Sequence, residues 1–252
     1  MRLRPSAGPA DCRLDTDEVH VWRLNVACGG AARFDAILSE AEKGRAARFV
    51  FPADRERFAV AHGLLRLVLG AYLGRSPRSL ELDAEQGIKP RLPADELKFN
   101  LSRSGSLALL AVSANAELGA DLERVRPLKD MMDVARRFFA PSEYADLQGV
   151  APDDQRRSFF DCWTRKEAFV KALGEGLPFG LDRFRVSLKK GEPAALLEVD
   201  GRSGEQSPWR IDDLSWGAEY AAALAVKLAH PKLRGWRLDD PEEALRLFGP
   251  GR

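Results

Sequence analysis

The chain has 252 residues, 45% hydrophobic and 31% charged, a globular composition long enough for one large domain or two small ones. Its 39 Lys and Arg against 38 Asp and Glu leave a net charge of +1. No global field therefore favours nucleic acid or an acidic membrane, and an anionic ligand has to be met by a local cluster. The three cysteines, Cys12, Cys28 and Cys162, are odd in number and form no CxxC pair, which argues against a disulfide framework or a structural zinc site and points to a reducing cytoplasm. Residues 1–14, broken by Pro5, Gly8, Pro9 and Asp11, do not read as a signal peptide. No later segment is apolar for long enough to span a bilayer.

In chain order, residues 37–73 read as helical, with Phe58, Leu65 and Leu69 at helical spacing, an interruption at Pro52 and a stop near Gly74. Strand-like sequence follows at 79–83 and 107–112. A short turn over 113–117 then leads to 118–123, which reads as the second arm of a hairpin. Residues 131–173 repeat the helical pattern, interrupted at Pro141 and stopped at Gly174. Strands are expected at 184–188, 194–199 and 220–228, and residues 231–252 read as a short amphipathic helix of packing character. The order is α+β twice over. Arg48, Phe49, Pro52 and Asp54 before the first long helix are echoed by Arg137, Phe138, Pro141 and Glu143 before the second. The expectation is two α+β halves, 1–115 and 116–252, divided near 114–117.

Two features carry chemistry. In Leu118-Gly119-Ala120-Asp121-Leu122-Glu123, strand alternation sends Leu118, Ala120 and Leu122 to the core. Asp121 and Glu123 then share the other face, roughly 6–7 Å apart at the backbone. Alone, such a pair is ordinarily a solvated face. On the helical run 159–173, Phe160, Trp163, Glu167 and Val170 fall on one stripe. A carboxylate in that setting calls for a cation or a hydrogen-bonding partner. Lys171, one turn on, offers an ordinary helix ion pair. The alternative is a hard dication shared by Asp121, Glu123 and Glu167, an oxygen-only donor set that suits Mg2+ rather than zinc.

The runs Phe99-Asn100-Leu101-Ser102, Gly119-Ala120-Asp121-Leu122-Glu123 and Trp163-Thr164-Arg165-Lys166-Glu167-Ala168-Phe169-Val170-Lys171-Ala172, with Gly174 and Gly176, resemble the signature blocks of the 4'-phosphopantetheinyl transferases. The likeness extends from about Leu38 to Gly176 and is closest to the larger single-chain kind that activates peptide and polyketide synthases. It implies two similar α+β halves related by a pseudo-twofold axis, with coenzyme A in the cleft between them. It also implies transfer of the phosphopantetheine arm to a serine of an apo acyl or peptidyl carrier protein, with release of 3',5'-ADP.

Carried over by position, Asp121, Glu123 and Glu167 match the magnesium ligands, Lys171 matches a pyrophosphate-binding lysine, and Lys89, within Gly87-Ile88-Lys89-Pro90, matches a lysine near the nucleotide. Arg45, Arg48 and Arg57 fall where the 3'-phosphate is met. Ser102, Arg103, Asp121 and Lys166 complete the expected cofactor-binding set, with Glu167 and Lys171 as the catalytic pair. Arg103 departs from the family's usual histidine, and His62 stands where an arginine is expected. A guanidinium still binds phosphate, but it cannot serve as a neutral imidazole. The serine proton goes to Glu167 or to a metal-bound water. Two other readings stay open: a catalytically idle module that binds coenzyme A or carrier proteins, and a magnesium-dependent nuclease. The expected partners are coenzyme A and carrier proteins, without nucleic acid or membrane, for a cytoplasmic monomer.

Overall fold

A computed structural model of the chain describes residues 4–5, 12–27, 30–83, 89–174 and 180–249. Cys28, Gly87, Ile88 and Gly176, named above, lie outside the described residues. Within them, strands β1 (Arg4–Pro5) and β2 (Glu18–Asn25) precede helices α1 (Glu40–Ala47) and α2 (Pro52–Leu73). Next come β3 (Lys98–Ser104), β4 (Leu107–Ser113) and β5 (Leu118–Arg124), followed by α3 (Met131–Phe138), α4 (Pro141–Gln148) and α5 (Pro152–Leu173). The chain then adds β6 (Phe184–Val186), β7 (Leu196–Val199), β8 (Arg202–Ser203), β9 (Arg210–Asp213), β10 (Tyr220–Val226), β11 (Lys232–Leu238) and α6 (Pro241–Phe248).

The two long helices are built alike. Each has 22 residues, opens on a proline at its first turn and stops at a glycine in the left-handed region, Gly74 at φ 61° and Gly174 at φ 74°. Proline loses nothing at the first turn, where its missing N–H would have no partner, and glycine enters the left-handed cap without strain. Helix α2 is buried almost all round between Phe58 and Gly70, so its apolar residues read as a core helix rather than a surface stripe.

Among the described residues the strands form a five-stranded sheet in the order β1-β11-β2-β4-β3 and two three-stranded sheets, β5-β10-β9 and β6-β7-β8. Helix α2 packs on the first sheet through Leu64, Val68, Trp22, Leu110 and Trp236. Helix α5 packs on the second through Ala168, Phe169, Ala172, Ala221 and Ala223. The other faces of these sheets meet in a third core of Val19, Val21, Leu109, Ala111, Leu118, Ala120, Leu122 and Leu224. The layers therefore run helix, sheet, sheet, helix, each sheet burying both faces.

Several expectations are corrected. Residues 118–123 do not pair with 107–112: β4 is flanked by β2 and β3, so it has no free edge, and β5 joins β10 instead. Residues 79–83 form a 3-10 turn, Pro77–Ser79, and an isolated bridge from Asp83 to Arg91 rather than a strand. The interval 131–173 holds three helices. Residues 231–252 open on a strand, β11, which runs parallel between β1 and β2, and the helix begins only at Pro241. Strands at 18–25, 98–104 and 210–213 go beyond those expected. No described helix is long and apolar enough to cross a membrane.

Candidate active site

Strand β3 carries a polar residue at every second position: Asn100, Ser102 and Ser104, with Ser106 just beyond. This row faces the edge of β5, and its side chains satisfy backbone groups that a neighbouring strand would otherwise take. Asn100 Oδ1 accepts from Ala120 N at 2.7 Å, Ser102 Oγ from Leu122 N at 3.2 Å and Ser104 Oγ from Arg124 N at 3.0 Å. Ser106 Oγ lies 2.9 Å from Tyr220 Oη on β10. An unpaired buried N–H costs about 1–3 kcal/mol, so the row holds the two sheets in one register. Ser102 Oγ also donates to Asp121 Oδ1 at 2.9 Å, and Ser104 Oγ to Glu123 Oε2 at 2.8 Å.

Asp121 and Glu123 thus lie on one face of β5, as alternation predicts, while Leu118, Ala120 and Leu122 enter the core. Gly119 shares the carboxylates' face beneath α5. A Cβ there would stand 2.2 Å from Ala168 O and 2.3 Å from Ala172 N, so only glycine lets the helix come this close. Lys171 then reaches Asp121: Nζ donates to Oδ1 at 2.5 Å and lies 3.4 Å from Ser102 Oγ. The helix pair between Glu167 and Lys171 is replaced by this cross-element bond. Glu167 is half-buried, and burial, then the charges of Asp121 and Glu123, push its pKa up. Glu123 moves the same way, by burial and by Asp121. Burial opposes the ammonium of Lys171, but Asp121, Glu167 and Glu123 outweigh it and raise its pKa.

Lys166 is corrected. It is fully buried, paired with Glu143 at 2.7 Å, and donates to the carbonyls of Leu181 and Phe184 at 2.7 and 2.6 Å. It anchors α5 on a side away from Asp121, and its buried ammonium is already taken up by these three partners. Lys89 is half-buried, donates to Leu118 O at 2.6 Å, and burial lowers its pKa to about 8.

The basic residues gather around one ring. Arg103 lies 5.1 Å and Arg45 5.6 Å over Phe58, and His62 stacks on that ring at 4.0 Å. Arg57 pairs with Asp54 at 2.7 Å, and Arg48 is exposed at the end of α1. His62 Nδ1 is 3.0 Å from Glu42 Oε1, and Arg66 Nε donates to Glu42 Oε2 at 2.6 Å. Burial disfavours the Glu42 carboxylate, yet His62, the N–H of Ser39 and Arg66 bring its pKa down to about 2. Desolvation lowers that of His62, with Arg103 and Arg45 adding to it against Glu42. Burial thus disfavours the imidazolium of His62, Glu42 holds the ring, and the neighbouring charges around Phe58 are guanidinium.

The model of the 4'-phosphopantetheinyl transferase superfamily matches residues 117–225. The transferase HetI of Nostoc sp. (strain PCC 7120 / SAG 25.82 / UTEX 2576) is 41% identical over 224 residues, 86% of this chain and 91% of its own. A 4'-phosphopantetheinyl transferase of Bacillus subtilis is 33% identical over 82% of this chain and 88% of its own. The chain belongs to the 4'-phosphopantetheinyl transferase superfamily. A further relative, the transferase Sfp of Bacillus subtilis (strain 168), is 28% identical over 79% of this chain and 85% of its own. Such near-full-length matches place it with the larger, single-chain transferases.

Whether this transferase's carboxylates fit a metal rests on the donor set. Asp121 is 3% exposed, and its Oδ2 is buried without a hydrogen-bond partner. An orphaned carboxylate oxygen beside two desolvated, mutually repelling glutamates is a site that a hard dication compensates. As the side chains stand, no three His, Cys, Asp or Glu among the described residues converge to hold one ion, and the Lys171 ammonium rests on Asp121. The donors fit Mg2+ in kind, with Asp121 the innermost. The sequence alone assigns no role to Ser104, Gly119 or Glu143. The period-two polar row from Asn100 to Ser106 was the signal for the first.

Proposed function

We propose that this transferase moves 4'-phosphopantetheine from coenzyme A to the serine of an apo acyl or peptidyl carrier protein, releasing 3',5'-ADP. The observation that carries the reading is the meeting of Asp121, Glu123, Glu167 and Lys171 at the contact of β5 with α5. Asp121, Glu123 and Glu167 would hold Mg2+, which when bound neutralises charge developing on the pyrophosphate oxygens. Lys171 holds a second positive charge within reach of the same oxygens. Arg45 and Arg103, both beside the Phe58 ring, offer guanidinium groups to the 3'-phosphate, with Arg48 and Arg57 nearby. Lys89 contributes a further cation on the nucleotide side. The serine proton goes to Glu167 or to a water at the metal.

Helix α3 is the proposed carrier contact. Arg136 is exposed on it, Arg137 lies over the ring of Phe138, and Phe138 meets Trp163 edge-on, one helical turn before Glu167. An acidic carrier helix held by the arginines would bring its serine toward Glu167. Reversing the charge of Arg136 and Arg137 should raise the KM for the carrier while leaving that for coenzyme A unchanged. The same reading takes the enzyme as a cytoplasmic monomer without nucleic-acid partners. It takes the chain as two halves, 1–115 and 116–252, related by a pseudo-twofold axis about a coenzyme A cleft, with β11 returning to the first sheet.

Glu167→Gln tests the reading. The variant keeps its far-ultraviolet circular dichroism and loses transfer by at least about 100-fold. Normal turnover by it in saturating Mg2+ contradicts the assignment.

A further inference from the structure

The hydroxyls of Ser102 and Ser104 each make two bonds at once, one accepted from a β5 backbone N–H and one donated to the next carboxylate back along β5. Asn100, two residues earlier in the same row, meets a backbone N–H alone. The row therefore divides into a part that clips the sheets together and a part that also aims side chains. The aiming matters most for Glu123. A glutamate has one more side-chain torsion than an aspartate, and Glu123 sits nearer the rim of the site than Asp121, which Lys171 also holds. The Ser104 contact at 2.8 Å comes from a residue whose own position is set by the β3–β4 ladder, where Ser104 pairs with Leu107.

We propose that Ser104 is a positioning residue that holds the Glu123 carboxylate in place for the metal, while taking no part in binding the nucleotide. The proposal rests on the reading of Glu123 as a metal ligand. It follows from the general behaviour of groups that hydrogen-bond to a metal-binding side chain, whose loss weakens metal binding by about 10–100-fold. Ser104 lies on β3, whereas the guanidinium cluster around Phe58 draws on its neighbour Arg103, which points to the opposite face of the strand.

The test measures Mn2+ binding to the full chain by electron paramagnetic resonance in the presence of coenzyme A, with coenzyme A affinity measured separately in EDTA. Ser104→Ala should bind Mn2+ about 10–100-fold more weakly, with unchanged coenzyme A affinity in EDTA. Ser104→Thr, which keeps the hydroxyl, should bind Mn2+ as the unaltered chain does. The proposal is overturned if Ser104→Ala binds Mn2+ normally while Glu123→Gln does not, or if Ser104→Thr loses as much as Ser104→Ala. Normal Mn2+ binding by Glu123→Gln as well would remove the reading of Glu123 as a metal ligand on which the proposal rests.

Discussion

Lys166 and Glu167 are neighbours in the chain, yet they serve different sides of α5, because a helix turns about 100° per residue. Lys166 faces a closed pocket where Glu143 and two carbonyls take up its charge, and Glu167 faces β5. Lys166→Met strands Glu143 as a buried, unpaired carboxylate and should cost about 3–5 kcal/mol, read as a lower urea midpoint. Adding Glu143→Gln should recover part of that loss, since the amide oxygen still serves a backbone N–H. Lys89 carries a pH signature. Burial brings it to about 8, so it is an ammonium below that pH and neutral above. In the free enzyme kcat/KM for coenzyme A should fall as pH rises through about 8. Lys89→Arg, charged throughout, should remove the fall, and an unchanged profile in that variant would take Lys89 out of nucleotide binding.

At the scale of elements, the site exists because α5 lies directly on β5. Gly119→Ala places a methyl against the backbone of Ala168 and Ala172, which cannot swing aside as a side chain would. The helix must lift, costing about 1–3 kcal/mol of stability. Kcat should fall by about 100-fold, because a displacement near 1 Å separates Lys171 and Glu167 from Asp121. Thermal melting and single-turnover transfer check the two effects. The alternation in 118–123 was readable because one face of β5 is wholly apolar and the other carries its carboxylates. The partner of β5 was not: a hairpin with 107–112 is the local choice, and nothing local shows that β2 and β3 already fill both edges of β4. Residues 232–238 are similarly opaque. Their alternation of Leu233, Gly235 and Trp236 with charged residues is broken by glycine, and their pairing with β2 spans most of the chain.

At the scale of the whole molecule, β11 ties the end of the chain to its beginning. It inserts in parallel between β1 and β2, and Trp236 stacks on Trp22 at 5.2 Å while α6 brings Phe248 edge-on to the same ring. Ending the chain after Leu228 should therefore unfold the first sheet as well as the tail, seen as loss of the near-ultraviolet signal of the tryptophans. An intact signal would mean that the first sheet stands without β11. The layered arrangement also explains why the functional residues, far apart in sequence, meet: the sheets converge where β3 abuts β5, and both long helices lie outside them. Family resemblance named the expected donor residues; the polar row on β3 was open to reading by its period of two, while the part played by Gly119 follows only from β5 lying against α5.

Phosphopantetheine transfer leaves its mark on the mass of the acceptor. The direct measurement is the intact mass of an apo carrier protein after incubation with the chain, coenzyme A and Mg2+. The carrier should gain one phosphopantetheine, a gain that requires all three components and disappears with Glu167→Gln. No gain across acyl and peptidyl carriers, despite tight binding of coenzyme A, would contradict transfer.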